Sequence, residues 1–152
     1  HLLSRRQRQM CIRDSVTAID GSEEICKEAS KYTGIKVKQM LFEELNDQNI
    51  YDGIWACASV LHLSREKLPN IFHKMHQALK TNGIIYTSFK YGTFEGERNG
   101  RYFTDFTEDS LKEFILQIPQ LQIKEIWTTG DVREGRGDER WLNILLRKTD
   151  VC

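Results

Sequence analysis

Residues 52–59 (DGIWACAS) and 83–89 (GIIYTSF) are nearly continuous apolar runs, and between them Leu68, Ile71, Phe72, Met75 and Leu79 recur at helical spacing. A short unbroken apolar run suits a strand buried on both faces, and an amphipathic helix between two such strands suits a parallel connection. The same alternation extends to either side. Residues 16–19 (VTAI) form a β-prone run that stops at Asp20-Gly21-Ser22. Ser22 is a good N-cap, Glu23 and Glu24 place negative charge in the first turn, and Ile25, Cys26, Ala29 and Tyr32 share a face as far as Gly34. Residues 35–40 read as a strand. The helix between Ser64 and Lys80 takes its regular start near Leu68, because Pro69 sits too deep for the first position, and Asn82-Gly83 ends it. Thr107 caps a helix carrying Leu111, Phe114, Ile115 and Ile118, stopped by Pro119. Residues 121–127 and 141–146 are two strands joined by a charged loop at 131–139, hence an antiparallel pair at one edge. The order β-α-β-β-α-β-α-β-β is that of an α/β fold with a parallel sheet wound by helices on both faces.

At 152 residues the chain has the length of one domain. With 39% apolar and 29% charged residues it is a globular mixture, and it has no stretch near the ~20 apolar residues of a membrane span. The 22 Lys and Arg balance the 22 Asp and Glu, which argues against a dedicated nucleic-acid binder. That neutrality is a sum of unlike parts: residues 1–14 (HLLSRRQRQMCIRD) hold four Arg and one Asp, so the remainder carries −3. A basic arm, a transit-like leader and sequence foreign to the protein are the three readings of that segment, and the last is favoured; residues 15–149 then form the domain. The four cysteines, Cys11, Cys26, Cys57 and Cys152, form no C-x-x-C pair. They read as reduced thiols of a cytoplasmic protein rather than a zinc site.

In α/β sheets ligands bind beyond the carboxyl ends of the strands. Asp20, the 41–44 loop, residues 57–62 and residues 89–91 are therefore the candidates. A carboxylate between a strand and a helix can accept both hydroxyls of a ribose, or can simply cap the turn. Gly21 lets the backbone pass close to a base edge, and Phe42 either covers a ring face or joins the core.

In these residues the chain resembles the class I S-adenosylmethionine-dependent methyltransferases. The likeness rests on VTAIDGS (16–22), FEEL (42–45), DGIWACASVLHL (52–63), ALKTNGIIYTSFKYG (78–92) and the closing antiparallel pair. REGRGDERWLN (133–143) further resembles a subgroup of small bacterial-type methyltransferases. The resemblance implies a Rossmann-like sheet, mostly parallel with a C-terminal antiparallel pair, and S-adenosylmethionine as cofactor. It implies that Asp20 binds the ribose with Gly21 and Ser22 beside it, and that Leu41 and Phe42 border the adenine, although the acidic residue often found near Leu41 is missing. Cys57, Ala58 and Ser59 would lie beside the methionine part, and His62 would face the methyl group or the substrate. The family's first strand and glycine-rich turn should precede Val16, yet there is no Gly before Gly21. The expectation is thus a domain incomplete at its N-terminus and inactive on its own, with two strand edges unpaired, little cofactor affinity and reduced stability.

The reaction this implies is an in-line displacement at a sulfonium methyl, needing no metal. His62 is the candidate general base, its alternative being a structural histidine at a helix start. His73 and His76 read as surface residues rather than ligands. Lys90, Tyr91 and Tyr102 are placed to line the opening for a small-molecule substrate, with residues 93–106 as a mobile lid. Arg133, Arg136 and Arg140 suit an anionic substrate, but interleaved Glu134, Asp138 and Glu139 equally suit a self-paired loop. Two other classes compete: a nucleotide-binding Rossmann oxidoreductase, and a noncatalytic RNA-binding module resting on the Arg-rich start.

Overall fold

A computed structural model describes residues 16–34, 36–130 and 139–149. The chain divides into two units, residues 1–45 and 46–152. Residues 1–14 of the sequence reading lie outside the described residues.

In the first unit, β1 (Ile19–Asp20) pairs in parallel with β2 (Lys38–Gln39), and α1 (Glu23–Thr33) connects them. The Ser22 hydroxyl accepts from Ile25 N at 3.3 Å. Gly34, in the left-handed region at φ 73°, closes the helix by donating to Ser30 O. Both ends are where the capping residues put them. The expected helix face is not a core face, however: Cys26 is buried, but Ile25 is 53% and Tyr32 91% exposed. The strands are also shorter than residues 16–19 and 35–40 suggested.

In the second unit a four-stranded sheet runs in the order β3 (Tyr51–Ala56), β4 (Leu79–Lys90), β8 (Arg140–Lys148), β7 (Leu121–Gly130). The β3–β4 pair is parallel, and β4–β8 and β7–β8 are antiparallel. The α/β class and its antiparallel closing pair are as the sequence predicted. α2 (Leu68–Ala78) and α3 (Glu108–Ile115) cover one face. There Phe72, Phe114, Phe106 and Phe89 form a chain of edge or tilted contacts with ring centroids 5.6, 5.4 and 4.8 Å apart. Thr107 and Ser110 satisfy each other's backbone N–H groups at the start of α3.

Three expectations change. Residues 52–59 are not buried on both faces: Ala56 is buried, but Trp55 is 75% exposed and stacks on Tyr86 at 4.2 Å. β3 ends its sheet, and alternation turns Trp55 and Tyr86 away from the face that Ile85 and Phe89 share with the helices. The helix before β4 stops at Ala78 rather than at Asn82-Gly83, and the strand begins at once with Leu79 paired to Tyr51. Asn82, at φ 67°, instead sits where the β3–β4 register shifts. Finally, residues 93–106 are not a loop: β5 (Glu95–Arg98) and β6 (Arg101–Thr104) form a hairpin turned by Asn99 and Gly100, both at positive φ.

Candidate functional site

Beyond β3 the chain turns sharply. Ala58 has φ 49°, a left-handed conformation that costs a non-glycine residue about 1–2 kcal/mol. β4 holds it there: Ala58 N donates to Ser88 Oγ at 2.8 Å, and Thr87 Oγ1 donates to Ala56 O at 3.1 Å. Ser88 Oγ also lies 3.9 Å from Cys57 Sγ. Cys57 and Ala58 are exposed and Ser59 half-buried, so the turn offers its backbone to a ligand.

A 3-10 turn, Val60–His62, follows with Val60 and Leu61 fully buried. His62 projects toward β6, where its Nδ1 lies 2.9 Å from Tyr102 O. A carbonyl only accepts, so Nδ1 carries the proton and neutral His62 keeps its lone pair on Nε2. Phe103 packs edge-on against the ring at 4.8 Å. The hairpin is fixed by further bonds: Thr104 Oγ1 to Leu63 O at 2.7 Å, Arg65 Nη2 to Asp105 O at 3.0 Å, and Tyr102 Oη to Glu95 at 2.6 Å. The bond to Glu95 raises the Tyr102 phenol above its ordinary range. The same bond, with the Arg65 N–H, holds Glu95 below its own. Tyr102 therefore stays protonated as a donor and is no base.

In the first unit, Asp20 Oδ1 accepts from Ser22 N at 2.8 Å, so one carboxylate oxygen serves the turn. The other makes no bond among the described residues. A Cβ at Gly21 would come within 3.1 Å of Leu41 Cδ2, so the bare glycine lets that side chain approach the backbone closely. Leu41 is 54% exposed, and Phe42 is half-buried at the start of a 3-10 turn, Phe42–Glu44. Asp20, Gly21, Ser22 and Leu41 are thus neighbours. The free oxygen, bare backbone and exposed apolar side chain suit a ribose diol and a base.

At the carboxyl end of β4, Lys90 and Tyr91 line a cavity of about 260 Å³ with Arg98, Glu139 and Arg140. Lys90 Nζ meets Glu139 Oε2 at 2.6 Å and lies 5.1 Å from the Trp141 ring centre. Arg133 and Arg136 lie outside the described residues. His73 is exposed on α2 and His76 half-buried near its end. Among the described residues no group of three or more His, Cys, Asp or Glu is placed to hold a metal ion. No described helix is long and apolar enough to cross a membrane.

The model of the methyltransferase domain family matches residues 2–83, more than half of the chain. The chain belongs to this family. The solved structures it resembles include a Burkholderia thailandensis 1,6-didemethyltoxoflavin-N1-methyltransferase, crystallised with 1,6-didemethyltoxoflavin and S-adenosylhomocysteine. It is 20% identical, with a TM-score of 0.71 over 90% of this chain and 62% of that enzyme. A Methanosarcina mazei S-adenosylmethionine-dependent methyltransferase is 14% identical, with a TM-score of 0.73 over 88% of this chain and 82% of the other. A third, from Mesorhizobium loti, is 16% identical, with a TM-score of 0.69 over 86% and 78%. No curated protein matches the sequence. The chain thus has the expected fold, and S-adenosylmethionine, the expected cofactor, is the one these neighbours are named for or hold in its demethylated form.

Sequence reasoning missed Arg98 and Glu139 as parts of the cavity at Lys90. Arg98 arrives through the unrecognised hairpin, whose Asn99-Gly100 turn was the available signal. Glu139 was read as part of a self-paired loop, and its pairing with Lys90 spans 49 positions.

Proposed function

We propose that this methyltransferase moves a methyl group from S-adenosylmethionine to a small-molecule acceptor, with His62 receiving the acceptor's proton. The match to the methyltransferase domain carries the reading, because it spans both the Asp20 turn and the Cys57–His62 turn. In the first unit Asp20 would take the ribose through its free oxygen, while Gly21, Ser22, Leu41 and Phe42 border the base. In the second, the Cys57, Ala58 and Ser59 turn would hold the methionine part. When bound, S-adenosylmethionine supplies an activated methyl whose leaving group is a neutral thioether.

His62 holds the proton it receives at Nε2, and the Tyr102 carbonyl steadies the imidazolium through Nδ1–H. Lys90, Tyr91 and Tyr102 flank the acceptor's entrance, and Arg133 and Arg136 belong to the same reading as partners for an anionic acceptor. The neighbour crystallised with a small heterocycle supports a small-molecule acceptor by analogy. A cytoplasmic setting suits the free thiols of Cys26 and Cys57. Calorimetric titration of the full chain with S-adenosylhomocysteine tests the cofactor site. Asp20→Ala lowers whatever affinity the wild type shows by about tenfold, the weight of one charge-assisted hydrogen bond; equal affinity in the two proteins refutes the assignment.

A further inference from the structure

The cavity at the end of β4 has an uneven charge balance. Three cations line it, Lys90, Arg98 and Arg140. Glu139 answers Lys90 at 2.6 Å, and Asp105, with its side chain 7% exposed, answers Arg98 at 2.8 Å. Arg140 has no carboxylate partner among the described residues. Its backbone is fixed by Tyr91 N, which donates to Arg140 O at 3.0 Å, so the guanidinium springs from a rigid strand start. Among the described residues the cavity therefore has one fork-shaped positive charge in surplus, the donor geometry that suits a carboxylate.

Its remaining lining residue is aromatic. Tyr91 is 45% exposed and lines the space, while Trp141 lies beneath the Lys90 ammonium. Arg98 sits 4.8 Å from the Phe103 ring centre, and Phe103 contacts His62, so one side chain separates the cavity's wall from the proposed base.

We infer that this cavity anchors the acceptor and that the acceptor carries a single carboxylate beside a flat ring. Arg140 binds the carboxylate, and Tyr91 packs against the ring. A dianion is disfavoured because Glu139 and Asp105 already neutralise the other two cations. The word acceptor rests on the methyl-transfer reading; the anion site stands on the charges alone.

Titration of the full chain with benzoate, benzamide and phenyl phosphate, followed by NMR, tests it. Benzoate binds at least tenfold more tightly than the isosteric benzamide and than phenyl phosphate. Arg140→Met removes that preference, whereas Glu139→Gln strengthens benzoate binding at least threefold by deleting a competing carboxylate. A packing role for these residues would not move the two variants in opposite directions. Equal binding of benzoate and benzamide, tighter phenyl phosphate, or unchanged benzoate binding in Arg140→Met overturns the inference. Should Arg140→Met not fold, unchanged or weaker benzoate binding in Glu139→Gln overturns it. A parallel titration with S-adenosylhomocysteine and NADH separates the two claims. S-adenosylhomocysteine binding no tighter than NADH, with benzoate bound, removes the methyl-transfer reading and leaves the anion site, and the converse removes the anion site alone.

Discussion

His62 shows how one backbone atom can set a side chain's chemistry. The ring is 40 positions from Tyr102 in sequence, yet the Tyr102 carbonyl 2.9 Å from Nδ1 dictates which nitrogen keeps the lone pair. Long-range nitrogen–proton correlation spectra at alkaline pH report this directly. The neutral ring is expected as the Nδ1–H tautomer, and a dominant Nε2–H form contradicts the base assignment. The sequence named His62 because it follows an apolar strand, but nothing local to residues 57–62 reveals the carbonyl that orients it. Asp20 illustrates the opposite case. Its place between strand and helix was legible, and of its two readings the capping one is seen, with Oδ1 accepting from Ser22 N.

Among the elements, those with chemical punctuation were legible. Ser22 and Gly34 bound α1, and Thr107 opens α3, because a side-chain oxygen or a left-handed glycine solves a local hydrogen-bonding problem visible in the sequence. The β5–β6 hairpin was not recognised, since its strands are four residues each and largely charged, without the alternation of a half-buried strand. Its register depends on the turn. Gly100 lies at φ 81° with open space around its Cα, so Gly100→Ala costs about 1–2 kcal/mol through backbone strain alone. Urea denaturation measures that loss, and an unchanged midpoint refutes the turn assignment. The exposure of Trp55 was also beyond a sequence reading. An apolar run specifies a strand, but whether both of its faces are covered depends on residues elsewhere in the chain.

At the scale of the molecule, pH acts on a group remote from the proposed chemistry. Burial lowers His76 below its ordinary pKa, with the charges of Lys148 and His73 adding to the effect. Lys148 is itself buried at the end of β8, bonded to Asn49 Oδ1 and Leu79 O. Because the unfolded chain binds this proton more readily than the folded one, the contribution of His76 to stability is present above pH 6.5 and declines as pH falls through the lowered native value. Thermal melts between pH 7.5 and 5 are expected to show a smaller acid-side loss in His76→Gln than in the wild type. Superimposable pH profiles contradict it.

The family and the α/β class could be read from the order and spacing of ordinary motifs along the chain. The cavity at Lys90 could not, because its carboxylates and cations meet only through pairings such as Lys90 with Trp141 across β4 and β8. This chain's strand-end turns are assigned to S-adenosylmethionine rather than to a nicotinamide dinucleotide, the cofactor of the competing oxidoreductase reading. Side-by-side calorimetric titration of the full chain with S-adenosylhomocysteine and NADH tests that assignment most directly. Weak heat with S-adenosylhomocysteine that exceeds any heat with NADH is expected; heat with NADH equal to or larger than that with S-adenosylhomocysteine contradicts the assignment.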